Sequence, residues 1–100
     1  MRVMTFNCNG IRAAAKKGFF DWLPSQEVDL VCLQETKAQV YQLEDPIFHP
    51  KGYKTYYFDA QRKGYSGTAL FTKLEPKKVT KGLGFEIADT EGRFIQADFK

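Results

Sequence analysis

Apolar and polar positions alternate from the start of the chain. Across residues 2–8, Met4, Phe6 and Cys8 fall on one face and Val3, Thr5 and Asn7 on the other, which is the period of a β-strand. Asn9-Gly10 breaks the pattern. Over residues 11–23 the alanines and the spacing of Phe19, Trp22 and Leu23 suit a helix. Gly18 and Pro24 are poor interior residues, so a short first turn is expected, then a helix that ends or kinks near Pro24. Residues 28–34 form an almost continuous apolar run, the pattern of a strand covered on both faces. Strand, helix, strand makes a βαβ unit. Residues 36–51, with Pro46 and Pro50, read as surface loop holding at most a turn of helix around 40–43. Four more strands are expected at 53–59, 67–72, 77–81 and 93–99, punctuated by Gly64, Gly67, Gly82, Gly84 and Gly92. The last one alternates through Phe99 and the sequence stops at Lys100 without a turn or capping tail. An unpaired apolar edge is an aggregation hazard, so the pattern reads as a truncated chain.

Composition narrows the class only modestly. Of 100 residues, 43% are hydrophobic and 27% charged, the balance of one ordinary globular domain or part of one. No apolar run approaches the roughly 20 residues that span a bilayer, and the N-terminus leads into polar Asn7 and Asn9 instead of a signal-peptide core. A cytoplasmic protein with no membrane partner is expected. Cys8 and Cys32 sit in apolar stretches at a spacing that matches neither a zinc site nor a disulfide framework, so buried free thiols are expected. A net charge of +3 is too small to identify a nucleic-acid binder. Placement of the basic residues matters more than their sum.

That placement follows from the topology. A parallel, right-handed crossover brings the C-terminal ends of the first two strands to one edge of the sheet, where open α/β sheets form their ligand sites. Asn7 and Glu35 become neighbours there, and period 2 puts Asn9 on the side of Asn7. A carboxylate with an amide oxygen, waters and a substrate phosphate would suit Mg²⁺. A glutamate at a strand end is also commonly just solvated or satisfying turn hydrogen bonds, and topology leaves both readings open. Arg12, Lys16 and Lys17 follow the Asn-Gly turn and Lys37 follows Glu35, a charge placement that suits phosphate contacts or simply a solvated helix face.

The segments Asn7-Cys8-Asn9-Gly10-Ile11-Arg12-Ala13, Leu33-Gln34-Glu35-Thr36-Lys37 and Gly64-Tyr65-Ser66-Gly67, followed by Glu91-Gly92-Arg93-Phe94, resemble in order the motifs of the exonuclease III family of apurinic/apyrimidinic endonucleases. The resemblance covers essentially the whole chain. It implies the N-terminal part of a four-layered α/β sandwich of the deoxyribonuclease I type, with residues 1–100 belonging to a single domain. It also implies a Mg²⁺-dependent hydrolase, with Mn²⁺ as a substitute, cleaving DNA 5′ to abasic sites and carrying 3′-5′ exonuclease activity. Glu35 and Asn7 are carried over as the metal site, and Arg12, Ala13, Lys17, Lys37, Gly64 and Tyr65 as DNA contacts. Some relatives have aspartate at the position of Asn9, and the asparagine here argues for one ion. The expected partner is double-stranded DNA containing abasic sites, bound by a monomer. The family's water-orienting aspartate and its aspartate-histidine pair come from motifs beyond these residues, so the 100 residues alone are expected to be inactive. His49, which matches no catalytic position, is assigned to the surface. Two other readings compete: a non-catalytic regulator on the same fold, like a catabolite-repression control protein resembled around Leu43-Glu44-Asp45-Pro46, and a phosphatase of the superfamily. The intact Glu35, Asn7 and Lys37 favour an enzyme over the first, and Arg12-Ala13 and Tyr65 disfavour the second.

Overall fold

A computed structural model describes residues 1–100, the side chain of Ile87 excepted. In chain order the elements are β1 (Val3–Asn7), α1 (Ile11–Lys16), α2 (Phe19–Trp22), β2 (Leu30–Gln34), β3 (Lys54–Phe58), β4 (Thr68–Thr72), β5 (Lys78–Lys81), α3 (Glu86–Thr90) and β6 (Ile95–Asp98). The first four strands form one sheet in the order β1-β2-β4-β3, and β5 and β6 form a second, two-stranded sheet. β1 and β2 are parallel, with Val3 opposite Leu30 and Asn7 opposite Gln34. β4 runs antiparallel to both β2 and β3.

The expected crossover helix is divided. α1 stops at Lys16, and Gly18, at φ 93°, takes the left-handed conformation that lets α2 start in a new direction. This bend lets Ile11 and Ala14 from α1, then Phe19, Phe20 and Leu23, all reach the same face of the sheet. The α-helix ends near Pro24 as expected, with α2 stopping at Trp22; Pro24 itself sits at the start of a 3-10 turn, Leu23–Gln26, where its missing N–H costs no hydrogen bond.

On that face Val31, Leu33, Ala69, Phe71 and Tyr57 form a core with the crossover residues and with Leu43 and Phe48. Phe71 has no exposed surface and is ringed by Tyr57 at 5.6 Å, Phe20 at 6.1 Å and Tyr53 at 6.4 Å between centroids. The phenols that burial would otherwise strand donate to backbone: Tyr57 to Phe48 O and Tyr53 to Val28 O, both at 2.6 Å.

Three expectations need correction. β2 is not covered on both faces: Val31 and Leu33 are buried while Leu30, Cys32 and Gln34 are only half-buried, so Cys32 is a partly accessible thiol. The doubly covered strand is β4, against which β6 packs. Residues 36–51 are surface loop only in part: Val40, Tyr41 and Ile47 are exposed and the expected turn near 40–43 is present, but Thr36, Ala38, Gln39, Leu43 and Phe48 are buried. Two 3-10 turns, Val40–Gln42 and Pro46–Phe48, fold this segment onto the core. The last strand is not unpaired, since β6 pairs with β5 from Ile95 opposite Lys81 to Asp98 opposite Lys78. His49 is exposed as expected, its ring bridging Thr55 Oγ1 and Leu43 O. No helix among the described residues is long and apolar enough to cross a membrane.

Candidate metal and nucleic-acid site

Where β1 and β2 end, their parallel ladder continues through loop backbone. Cys8 N donates to Gln34 O (3.0 Å), Gly10 N to Glu35 O (2.7 Å) and Ile11 N to Thr36 O (2.9 Å). On the other side, Thr36 N donates to Gly67 O (3.2 Å) and Lys37 N to Ser66 O (2.8 Å). Gly67 N in turn reaches Glu91 O at 3.4 Å. Four connections are thereby laid edge to edge into one rim. Asn9, Glu35, Lys37 and Ser66 all hold positive φ there, between 46° and 55°. Asparagine tolerates this region, but Glu35, Lys37 and Ser66 each cost roughly 1–2 kcal/mol, so surrounding contacts must over-determine this rim.

The rim brings Asn7 and Glu35 together as the crossover argument requires. The Asn7 side-chain amide donates to Glu35 Oε2, while Asn7 Oδ1 accepts from Asn9 N at 3.1 Å. Lys37 Nζ lies 3.4 Å from Glu35 Oε1 and donates to Asn9 Oδ1 at 2.6 Å. The Asn7 hydrogen bond, then Lys37, holds the Glu35 carboxyl below the usual carboxylate range, so it stands ionised at neutral pH. An ionised, half-exposed carboxylate is a suitable donor for a hard cation. Asn7 in this arrangement orients the carboxylate, with its own oxygen turned to Asn9. Among the described residues no three His, Cys, Asp or Glu side chains cluster.

The basic residues divide around α1. Arg12, Ala13, Lys16 and Lys37 line a cavity of about 760 Å³ together with Asp45, Ile47, Phe48 and Gly64. Arg12 Nη2 also donates to Lys37 O at 3.4 Å. Lys17 instead lines a cavity of about 480 Å³ on the other side of the helix, with Phe6, Phe19 and Trp22. Of the expected DNA contacts, Arg12, Ala13, Lys37 and Gly64 thus share one cleft while Lys17 and Tyr65 do not line it, and Lys16 takes a place there that the motif did not give it.

Tyr65 is half-buried. Its ring lies 5.1 Å from the Arg62 guanidinium and 5.8 Å from that of Arg93. Arg93 Nη2 donates to the Tyr65 hydroxyl at 3.2 Å and Arg93 Nε to Glu91 at 2.6 Å. Arg62 and Arg93 thus enclose Tyr65, an arrangement that strand patterning does not indicate. Gly92 brings the Arg93 turn close enough that a Cβ there would lie 2.5 Å from the Asp59 carbonyl carbon.

Two packed sheets carry a carboxylate, an amide and an arc of cations at one strand edge, the place where open α/β sheets form their ligand sites. The chain belongs to the Endonuclease/Exonuclease/phosphatase family, whose sequence pattern matches residues 4–100. It is 43% identical over 101 residues to an exodeoxyribonuclease of Bacillus subtilis (strain 168), covering 100% of this chain and 39% of that protein. With the DNA repair nuclease APEX1 of Danio rerio it shares 40% identity, over 99% of this chain and 33% of the relative. The fold matches an AP endonuclease from Archaeoglobus fulgidus at TM-score 0.81 and 34% identity, over 97% of this chain and 37% of that one. The expected fold class holds, and the chain spans under two fifths of the length of these relatives.

Proposed function

We propose that residues 1–100 are the N-terminal part of a single-domain DNA-repair phosphodiesterase, a monomer of the cytoplasm that hydrolyses the phosphodiester 5′ to abasic sites in duplex DNA. The observation that carries this reading is the Glu35 carboxylate, held ionised by Asn7 from the parallel neighbour strand and by Lys37, facing the edge where the basic cleft opens. The names of the relatives, which are DNA exonucleases and abasic-site endonucleases, support the choice of substrate. The two free cysteines are in keeping with a reducing compartment.

Mechanistically, Glu35 with Asn7 would hold one Mg²⁺ or Mn²⁺, which when bound supplies a Lewis acid for charge developing on phosphate oxygens. Asn7 fixes the carboxylate's orientation, and Lys37 balances its charge before substrate arrives. Arg12, Lys16 and Lys37 would track the DNA backbone, while Arg62, Tyr65 and Arg93 would form an arm against the groove. An abasic nucleotide lacks a paired base, so displacing it costs less than flipping a normal one, which favours damage over sequence. The groups that activate water and protonate the leaving oxygen would come from residues outside this chain, and the 100 residues alone would not cleave.

A Mg²⁺ titration followed by NMR, run alongside cleavage of an abasic duplex by the full-length protein, tests this. Glu35→Gln should abolish the Mg²⁺-dependent shifts near residues 7 and 35, and Asn7→Ala should weaken Mg²⁺ binding by roughly 10–100-fold. Unchanged Mg²⁺ dependence in Glu35→Gln would remove Glu35 from the metal site.

A further inference from the structure

Gln39 lies four residues past Glu35 and is only 6% exposed. A primary amide offers two donors and an acceptor in one plane, and here all are used on a single stretch of backbone. Its Nε2 donates to Ala60 O at 2.8 Å and to Arg62 O at 3.3 Å, and its Oε1 accepts from Gly64 N at 3.1 Å. These partners all belong to the connection between β3 and β4, the one that carries Arg62 and Tyr65. The next residue adds a second tie, Val40 N donating to Asp59 Oδ2 at 2.8 Å. Gln39 is itself anchored, since its own N–H donates to Gln42 Oε1 at 2.9 Å across the 3-10 turn.

The β3–β4 ladder ends at the Phe58 and Thr68 pair. Beyond it, the carbonyls of Ala60 and Arg62 and the amide of Gly64 find their partners in the Gln39 side chain, which stands in for a missing strand. The same short segment begins at Glu35, so one piece of chain sets both the carboxylate and the loop opposite it.

We propose that Gln39 is a positioning residue that holds the Arg62–Tyr65 arm in its DNA-engaging shape before DNA arrives. This rests on the reading of Tyr65 as a DNA contact. A loop fixed in advance does not have to be ordered at binding, and the ordering of a few side chains is worth about tenfold in affinity. Methionine at 39 keeps the volume but offers no hydrogen bonds. Glutamate keeps the shape but turns an acceptor toward the two carbonyls.

The test is binding of an abasic duplex to the full-length protein by fluorescence anisotropy, with amide exchange of Gly64 read in parallel. Gln39→Met and Gln39→Glu should each lose about tenfold in affinity and speed Gly64 exchange. In a Tyr65→Ala background the same changes should cost almost nothing more, because the arm has already lost its contact. An equal loss in both backgrounds would mark Gln39 as a general stabiliser and overturn the proposal. Wild-type Gly64 exchange in both Gln39 variants would overturn it as well. Tyr65→Ala binding DNA as tightly as wild type would defeat the reading of the arm itself, and Gly64 exchange would then still report separately whether Gln39 holds the loop. Should Gln39→Met fail to fold, the isosteric Gln39→Glu carries both measurements.

Discussion

Gly67 is the tightest point of the rim, and replacing it with alanine tests whether that rim is a packed structure or a set of independent loops. Gly67 has φ +88°, and a Cβ added there would lie 2.3 Å from Thr36 Oγ1. Two costs follow. Holding a non-glycine residue in the left-handed region costs roughly 1–2 kcal/mol. Forcing a methyl against Thr36, which is 1% exposed and tied through its N–H to Gly67 O, adds an overpacking cost of about 1–3 kcal/mol. Gly64 supplies the control: its φ is +66° and a Cβ there would meet nothing within 4 Å, so Gly64→Ala carries the strain without the clash.

Urea unfolding of the chain should therefore show Gly67→Ala destabilised by about 2–5 kcal/mol and Gly64→Ala by about 1–2 kcal/mol, at unchanged m. Thr36→Ala removes the oxygen in the way, leaving only ordinary contacts at 3.6 Å from Lys37 N. The double variant Gly67→Ala/Thr36→Ala should then recover the overpacking share, a coupling of about 1–3 kcal/mol. Equal losses for Gly64→Ala and Gly67→Ala, or a double variant that is simply additive, would refute the claim that Thr36 and Gly67 are packed against one another. Because Thr36 adjoins Glu35, a confirmed clash also gives a route from the β3–β4 loop to the carboxylate.

Two further outcomes are expected. In Asn7→Ala the Glu35 carboxyl should titrate closer to the ordinary carboxylate value, since the Asn7 hydrogen bond is the first cause of its lowered pKa and Lys37 the next. A lowered pKa adds stability above the unfolded-state value that is lost as pH falls through the folded-state value. Asn7→Ala should thus lose stability at neutral pH and flatten the acid limb, and a ¹³C titration of Glu35 identical to wild type would contradict this. Phe71→Ala should cost about 3–5 kcal/mol in chemical denaturation, because Phe71 is fully buried and three rings close on it; a loss below about 1.5 kcal/mol, the scale of a tolerated volume-conserving swap, would mean the site collapses around the gap.

Alternation and crossover handedness suffice for β1, β2 and the meeting of Asn7 with Glu35, because these depend only on local period and on a topological rule. They do not say which strand lies under the second sheet. The apolar run of β2 and that of β4 look alike in sequence, and only the placement of β6 makes β4 the doubly covered one. The crossover shows the same limit at shorter range. Gly18 and Pro24 both read as breaks, yet Gly18 redirects the chain through positive φ while Pro24 is absorbed where no N–H is needed. Position after the Asn-Gly turn and the resemblance both make Lys17 a DNA contact, but α1 ends at Lys16, so helical phase does not set the direction of Lys17.

The rest of the site was illegible for a different reason: its parts look polar and loop-like, and what buries them is tertiary hydrogen bonding. Gln39 stands in a proline-containing stretch that composition assigns to the surface, yet its amide serves three backbone groups more than twenty residues away. Glu35, Lys37 and Ser66 carry no sign in sequence that they hold positive φ, since glycine is the residue that announces it. These hidden features share one location. Glu35, Lys37 and Ser66, the Thr36–Gly67 contact and the Gln39 ties all lie on the segment from Glu35 to Gln39 or on the loop it grips, Asn9 joins them from the β1–α1 turn, and only Glu27, at φ 52°, lies elsewhere. Local preference was overridden there, at the edge where the carboxylate and the basic cleft meet. A sequence selected only for stability would have little reason to keep non-glycine residues at such positions, and four of the five that hold positive φ lie at the same edge that the motifs mark.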